Sequence, residues 1–383
     1  MQYRDFRGLE FRPSALGFGA MRLPVLGGDE SRIDYDAATA MLRYAIDHGV
    51  NYVDTAYVYH AGESEPWLAQ ALCDGYRERV KVATKMPVWK AEHAADFDRL
   101  LGEQLERLQT PTVDFYLLHS LNRRSWERAR GIGVLGWAEG ALADGRIGHF
   151  GFSFHDEYEV LEEIVAASNL WSFCQIQLNY MDAGYQAGLR GLRHAAARGL
   201  SVIVMEPLRG GRLAKSPPPH IQALWDASAV KRDPVEWALQ WVWDLPEVSL
   251  LLSGMSTMEQ VRQNVTFAER SGVLRLTPDE LALIDTVRDA YRERIAVDCT
   301  GCRYCDPCPN GVDIAAVLQT YNDAFIYDEI ERERVSYSFM DPAARGDNCT
   351  ACGECEARCP QGLAVAEWVQ RADELLAPCE GET

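Results

Sequence analysis

The chain has 383 residues, 47% apolar and 25% charged, the proportions of a globular protein with a sizeable core rather than of a disordered chain or a small disulfide-stapled module. Its formal charge is −19, unevenly spread: residues 297–383 hold 6 Arg, no Lys and 17 Asp plus Glu, a net of −11, leaving −8 for the rest. Nucleic acid and anionic membranes are poor partners for such a surface; a small protein with a basic docking face suits the tail better, although acidity also simply maintains solubility. No apolar run reaches the ~18 residues needed to span a bilayer, and the opening MQYRDFRGLEFRP lacks the apolar stretch of a secretion signal, so the chain is expected in the cytoplasm.

In chain order, that opening segment alternates around a glycine and reads as a hairpin. Short apolar, β-branched stretches then recur: ALGFGAM (15–21), NYVDTA (51–56), VKVATK (80–85), DFYLLH (114–119), HFGFSF (149–154), CQIQLN (174–179), SVIVME (201–206) and SLLLSG (249–254). Longer segments with helical spacing follow them, such as SEPWLAQALCDGY after the second and DFDRLLGEQLERL after the third. Eight strand-and-helix units predict an α/β fold, a (β/α)8 TIM barrel over residues 1–296, its bottom closed by the opening hairpin. The competing doubly wound sheet lacks its marker, a GxGxxG turn after the first strand.

Chemistry in such a barrel sits at the C-terminal ends of the strands. Asp54 ends one expected strand with Tyr59 five residues on, Lys85 ends the next and His119 the one after. A lone charge there is usually a solvated group or a helix cap, and a lone Tyr is usually packing; four polar groups from three successive strands converge on one mouth. A phenol is a poor acid at neutral pH, but a neighbouring ammonium favours phenolate, and an Asp keeps that ammonium charged and oriented. Tyr59 could then pass a proton to a carbonyl oxygen as hydride reaches its carbon, with His119 holding the same oxygen.

DTAYVYHAGESEPWLAQAL, VATKMP and FYLLHSL resemble the three catalytic blocks of the aldo-keto reductases, a likeness that runs over about residues 10–295. It implies NAD(P)H-dependent reduction of an aldehyde or ketone, with Tyr59 as general acid, Asp54 and Lys85 tuning it and His119 orienting the carbonyl. It also places Ser153 and Gln175 at the nicotinamide carboxamide, where Phe154 replaces the usual Asn or Arg, and Met205 where many members stack an aromatic on the ring. Pro207 and Leu208 match the loop along the pyrophosphate, beside Gly210 and Gly211, and SGMSTMEQVRQNV (253–265) matches the adenosine-phosphate block through Gly254, Ser256, Gln260 and Asn264. Met255 and Gln260 stand where many members put Lys and Arg around a 2′-phosphate, which leaves NADP or NAD open, with Arg262 either compensating or facing solvent. The mouth loops, including Tyr57, His60, Trp89, His155 and Asn179, are expected to choose the substrate.

Of eleven cysteines, eight form two runs, CTGCRYCDPCP (299–309) and CTACGECEARCP (349–360). The second matches the bacterial ferredoxin pattern, in which three thiolates wrap one cluster and the fourth reaches another. That resemblance implies a helical, ferredoxin-like domain over residues 297–383 with two 4Fe-4S clusters, one on Cys299, Cys302, Cys305 and Cys359, the other on Cys349, Cys352, Cys355 and Cys308. The first run has two residues, not three, before its last Cys, which leaves that ligand exchange open, and zinc is the rival metal. Cys73 and Cys174 are expected in the core and Cys379 in a loose tail, while 311–333 reads as one helix with Asp313 as its cap.

Hydride carries two electrons together and a cluster passes one, so coupling the two chemistries calls for a converter: a flavin, or a radical-capable substrate at the barrel mouth. Three classes remain. One is a carbonyl oxidoreductase; the second is an electron-transfer enzyme exchanging electrons through the clusters with a ferredoxin or flavodoxin; the third is a regulatory subunit. The clusters are otherwise structural, holding together a tail with no core of its own.

Overall fold

The computed structural model of the chain describes residues 1–299, 301, 305–359 and 361–377; Cys302 and Cys379 lie outside them. Eight parallel strands close into a barrel in chain order: β1 (Leu16–Gly19), β2 (Tyr52–Asp54), β3 (Lys81–Met86), β4 (Val113–Leu121), β5 (Ile147–Phe154), β6 (Trp171–Gln177), β7 (Ser201–Met205) and β8 (Val248–Gly254), which pairs back onto β1. Each expected strand is present, its ends displaced by a few residues. The helices after β1 and β8 begin on polar caps, Asp34 accepting from Ala37 N and Thr257 from Gln260 N.

Side chains alternate along a strand, so one inward row holds Tyr52 and Asp54 on β2, Ala83 and Lys85 on β3, Phe115, Leu117 and His119 on β4, Phe173 and Gln175 on β6, and Ile203 and Met205 on β7. The lower members of these rows form one buried apolar layer. Phe6 of the opening segment plugs it from below, its ring 5.1 Å from Phe115 and 6.0 Å from Phe173. The expected hairpin amounts to a single antiparallel bridge, Tyr3 with Ser14, supported by Arg4 N donating to Pro13 O. Polar residues begin where that layer ends.

Contacts divide the chain into two units, Met1–Ala214 with Arg232–Leu281 and Lys215–Lys231 with Ala282–Thr383, a division that falls inside helix Pro278–Arg292. The second unit is helical. Ile314–Ile326 and Val365–Leu376 pack around Val312, Val317, Leu318, Tyr337, Val369 and Leu376, all 2% exposed or less. The tail therefore has an apolar core of its own, contrary to the expectation of a coreless segment. Asp313 caps the first helix as expected, accepting from Ala316 N, but 311–333 is not one helix: the chain breaks at Asp328 (φ 59) and resumes as Ile330–Ser338. Cys174 is buried, and burial pushes its thiol up to about 12; Cys73, expected in the core, is exposed, because helix Ser64–Ala71 has ended and the chain turns through Asp74 and Gly75, both at positive φ. Among the described residues no helix is long and apolar enough to cross a membrane.

Gly151 on β5 lies where a Cβ would come within 2.5 Å of Phe173 O and 2.7 Å of its ring. Backbone carbonyl and barrel-filling ring cannot both retreat, so Gly151→Ala is expected to lose about 1–3 kcal/mol of stability by overpacking, read as a lower denaturant midpoint at unchanged slope.

Candidate active site

The inward rows of β2 and β3 bring Asp54 and Lys85 together with their side chains 4% and 1% exposed. Lys85 Nζ donates to Asp54 Oδ1 at 2.5 Å, Thr55 O at 2.8 Å and Tyr59 OH at 3.1 Å, so all three of its donors are used. Burial opposes the charge on Lys85, but Asp54 and Tyr59 outweigh it and lift the ammonium above the ordinary lysine range. For Tyr59, burial raises the phenol above its ordinary value; Lys85 and Arg22 pull it down, and burial prevails. The phenol therefore keeps its proton at rest, with the Lys85 ammonium beside the oxygen.

His119 completes the group, its ring 6.0 Å from Tyr59 edge-on and 5.3 Å from Trp89. It precedes Ser120 (φ 58), where the register of β4 with β5 slips, so a strand irregularity delivers it to the mouth. Burial holds its pKa well below the ordinary histidine value, with Lys85 and His155 adding to the effect; Nδ1 is buried with no partner among the described residues. All four residues expected from the sequence therefore meet.

The flanking positions are arranged across adjacent strands. Ser153 faces Gln175 in the β5–β6 register, and Gln177 faces Met205 across β6–β7. Ser153 Oγ accepts from Ser120 N at 2.7 Å, which leaves its own proton to give. Gln175 Nε2 lies 3.5 Å from Met205 Sδ while its Oε1 is buried and has no partner among the described residues. An orphaned carbonyl oxygen beside a free hydroxyl proton fits a primary carboxamide. Pro207 is buried, and Leu208 O accepts from Gly211 N and Leu213 N, curling the loop after β7. Gly254 and Ser256 are exposed at the end of β8; Gln260 Oε1 accepts from Ser256 N, and Asn264 is buried with its amide donating to Ser253 Oγ.

Three of the five residues expected to choose the substrate are committed elsewhere. The His60 ring accepts from Leu23 N and contacts Glu30 O, Asn179 caps Met181 and Asp182 and reaches Glu206 O, and Tyr57 donates to Glu103 with Arg107 over its ring. Trp89 remains, 44% exposed, and His155 is half-buried with Gln186 as its side-chain partner. Two features escaped the sequence reading. Arg22, just past β1, touches Tyr59 electrostatically. Behind Lys85, Gln104 donates to Glu65, Thr84 and Lys85 O and accepts from Tyr116 OH; neither had a motif to announce it.

In the second unit, Cys308, Cys349, Cys352 and Cys355 line one pocket walled by Val312, Ile314 and Val369. Ala351 and Gly353, at φ 53 and 76, let the second run wrap it. Cys299, Cys305 and Cys359 pack against the same apolar core. The thiols share space without meeting at a point: among the described residues no three His, Cys, Asp or Glu side chains converge on one ion. Soft thiols spaced around an apolar pocket suit an iron–sulfur cluster.

A family model described as the Aldo/keto reductase family matches residues 15–289, and one for a 4Fe-4S dicluster domain matches residues 298–364. Methylglyoxal reductase YeaE from Escherichia coli is 26% identical over 293 residues, 73% of this chain and 96% of its own length. L-galactose dehydrogenase from Arabidopsis thaliana is 26% identical over 313 residues, 76% and 96%. Among solved structures, an aldo-keto reductase from Bacillus halodurans in its holo form aligns at TM-score 0.62 and 25% identity over 75% of this chain and 96% of that one. An aldo/keto reductase from Klebsiella pneumoniae in complex with NADP and acetate aligns at 0.60 and 25% over 75% and 96%.

Because the pKa of His119 falls on folding, the unfolded chain binds the proton more readily. The contribution of His119 is therefore fully present above about pH 6.5, the ordinary value, and is lost as pH drops below it. The difference in denaturant midpoint between pH 7.5 and 5.5 is expected to shrink in His119→Asn; an unchanged difference would mean that the ring is not buried neutral.

Proposed function

Because the chain belongs to the aldo/keto reductase family, we propose that it interconverts a small carbonyl compound and its alcohol with NADP(H) or NAD(H), and carries two 4Fe-4S clusters in its C-terminal region. One observation carries the first half: a buried, still-protonated Tyr59 held 3.1 Å from the Lys85 ammonium, beside a neutral His119. The NADP-bound Klebsiella relative supports the choice of cofactor, as do the orphaned Gln175 Oε1 and the hydroxyl of Ser153. A bound nicotinamide supplies the hydride. The chain does the rest: His119 gives a hydrogen bond to the carbonyl oxygen, Tyr59 gives that oxygen its proton, and Lys85, kept charged by Asp54, stabilises the phenolate that remains. Trp89 and His155 border the substrate.

Cys308, Cys349, Cys352 and Cys355 would hold one cluster, a grouping supported by their shared pocket, and Cys299, Cys302, Cys305 and Cys359 the other. The second reading, electron exchange with a small ferredoxin or flavodoxin, is favoured by the −11 charge of residues 297–383, which suits a basic docking face. It requires a two-to-one electron converter, with a flavin at the barrel mouth as the candidate.

Tyr59→Phe is expected to lower kcat for aldehyde reduction by about 100-fold or more while NADPH still quenches protein fluorescence; retained turnover removes Tyr59 as the proton donor. Protein reconstituted anaerobically is expected to bind about eight irons, and Cys355→Ala about four; iron and sulfide analysis showing no loss in the variant overturns the ligand grouping.

A further inference from the structure

The helix Ile330–Ser338 of the tail carries its side chains the wrong way round for a surface helix. Its inner side buries Glu333 and Tyr337, each 1% exposed. Its outer side presents Glu331, Val335 and Phe339, spaced by four residues and therefore in one line along the helix. Val335 is 56% exposed and Phe339, at the C-cap, 85%, more than any other large apolar side chain among the described residues. Apolar groups exposed singly are ordinary, but an aromatic ring this bare beside a second apolar side chain is typical of a surface that another molecule covers. The surroundings are acidic. Residues 328–347 hold six Asp and Glu against three Arg, a net of −3, and the arginines are engaged: Arg334 with Leu375 O and Glu331, Arg345 with Ser338 O and Met340 O, Arg332 with Glu329. Glu331, one turn before Val335, and Asp341, two residues after Phe339, are both exposed.

That surface adjoins the cysteine pocket. The chain after Phe339 turns back, and the turn is hydrogen-bonded beside both cysteine runs: Asp313 N, five residues after Cys308, donates to Ala344 O, and Asn348 Nδ2, next to Cys349, donates to Pro342 O. Met340 packs against the same apolar core as Cys308, Cys349 and Cys355. Cys352, which lines the pocket with them, is exposed, so the pocket is open to the surface there. An apolar centre with a flank of one charge is the anatomy of a docking site, in which the charge steers the partner and the buried anchor holds it. A second copy of this chain would press the −11 of residues 297–383 against another −11, so charge selects a partner of the opposite sign.

We propose that the outer side of this helix, anchored on Phe339 and Val335 and flanked by Glu331 and Asp341, docks a one-electron carrier protein with a basic face. The inference rests on the electron-exchange reading of the clusters and names the surface and the partner charge which that reading needs. The probe is cytochrome c, a small carrier with a lysine-rich face, and the test uses the full, cluster-loaded chain under anaerobic conditions. Its dissociation constant is measured by calorimetry for wild type, Phe339→Ala and Glu331→Gln, with melting temperature and iron content as checks on folding. Separately, dithionite-reduced protein is mixed with ferric cytochrome c, where each electron that leaves a cluster reduces one haem iron to ferrous. Phe339→Ala is expected to weaken binding about 10-fold or more at unchanged net charge and to slow haem reduction at low carrier concentration. Glu331→Gln is expected to weaken binding less and to flatten its dependence on salt. Absent binding in wild type, or equal affinity in Phe339→Ala with electrons still passing, overturns the docking face. So does a wild-type dimer that Phe339→Ala dissociates, which makes a second copy the occupant. Binding that depends on Phe339 without haem reduction overturns the electron-exchange reading instead, and with it the class of partner named here.

Discussion

The buried ion pair of Lys85 and Asp54 is the constraint around which the barrel mouth is arranged. Taking both charges out of water costs several kcal/mol per ion, and the pair persists because every donor of Lys85 is used, on Asp54, Thr55 O and Tyr59 OH. That requirement fixes the register of β2 against β3, where Asp54 meets Ala83 two residues before Lys85. It also fixes the loop carrying Tyr59, which turns through two left-handed residues, His60 and Ala61, with the His60 ring tied to Leu23 N and Glu30 O. A second polar layer backs the first: Glu65, fully buried, takes hydrogen bonds from Thr84 and Gln104, and Gln104 in turn holds Lys85 O. Such networks are stiffest where their members are paired, and here the pairs among Lys85, Thr84, Glu65 and Gln104 surround Tyr59 OH.

The charge states follow from the same burial. Burial keeps the phenol protonated and the imidazole neutral, so at neutral pH the mouth holds two uncharged groups with the Lys85 cation behind them. The counter-charge is pre-positioned rather than recruited, which is how a fixed environment lowers a barrier without reorganising.

Much of this could be read from the chain. The eight strands are legible because strands buried on both faces read as short continuous apolar stretches, and the polar cluster because the inward row changes from apolar to polar at the strand ends, Ala83 to Lys85 and Leu117 to His119. The cysteine runs are legible because their spacing is local. What escaped depends on distant partners. The resting state of Tyr59 is a balance between burial and the charges of Lys85, Arg22 and Asp54, which spacing cannot weigh. Arg22 looks like any surface arginine until the fold brings it within electrostatic reach of Tyr59. Gln104 sits in an ordinary helical pattern, and the exposure of Cys73 depends on where the chain turns at Asp74. The division of the 311–333 helix at Asp328 carries no proline or glycine to signal it.

The apolar core of the tail changes what its thiols stand for. Two runs some forty residues apart in sequence must be brought together before a cluster can bridge them, and closing a loop of that size carries an entropic penalty that grows with its length. Here Val317, Leu318, Val369 and Leu376 already hold the helices Ile314–Ile326 and Val365–Leu376 against each other, and Tyr337 OH pins Gly346 N and Asp373 beside the second run. The apolar contacts of these helices therefore share with any bound metal the cost of bringing the two runs together, so the tail does not depend on thiolate bonds alone for its shape.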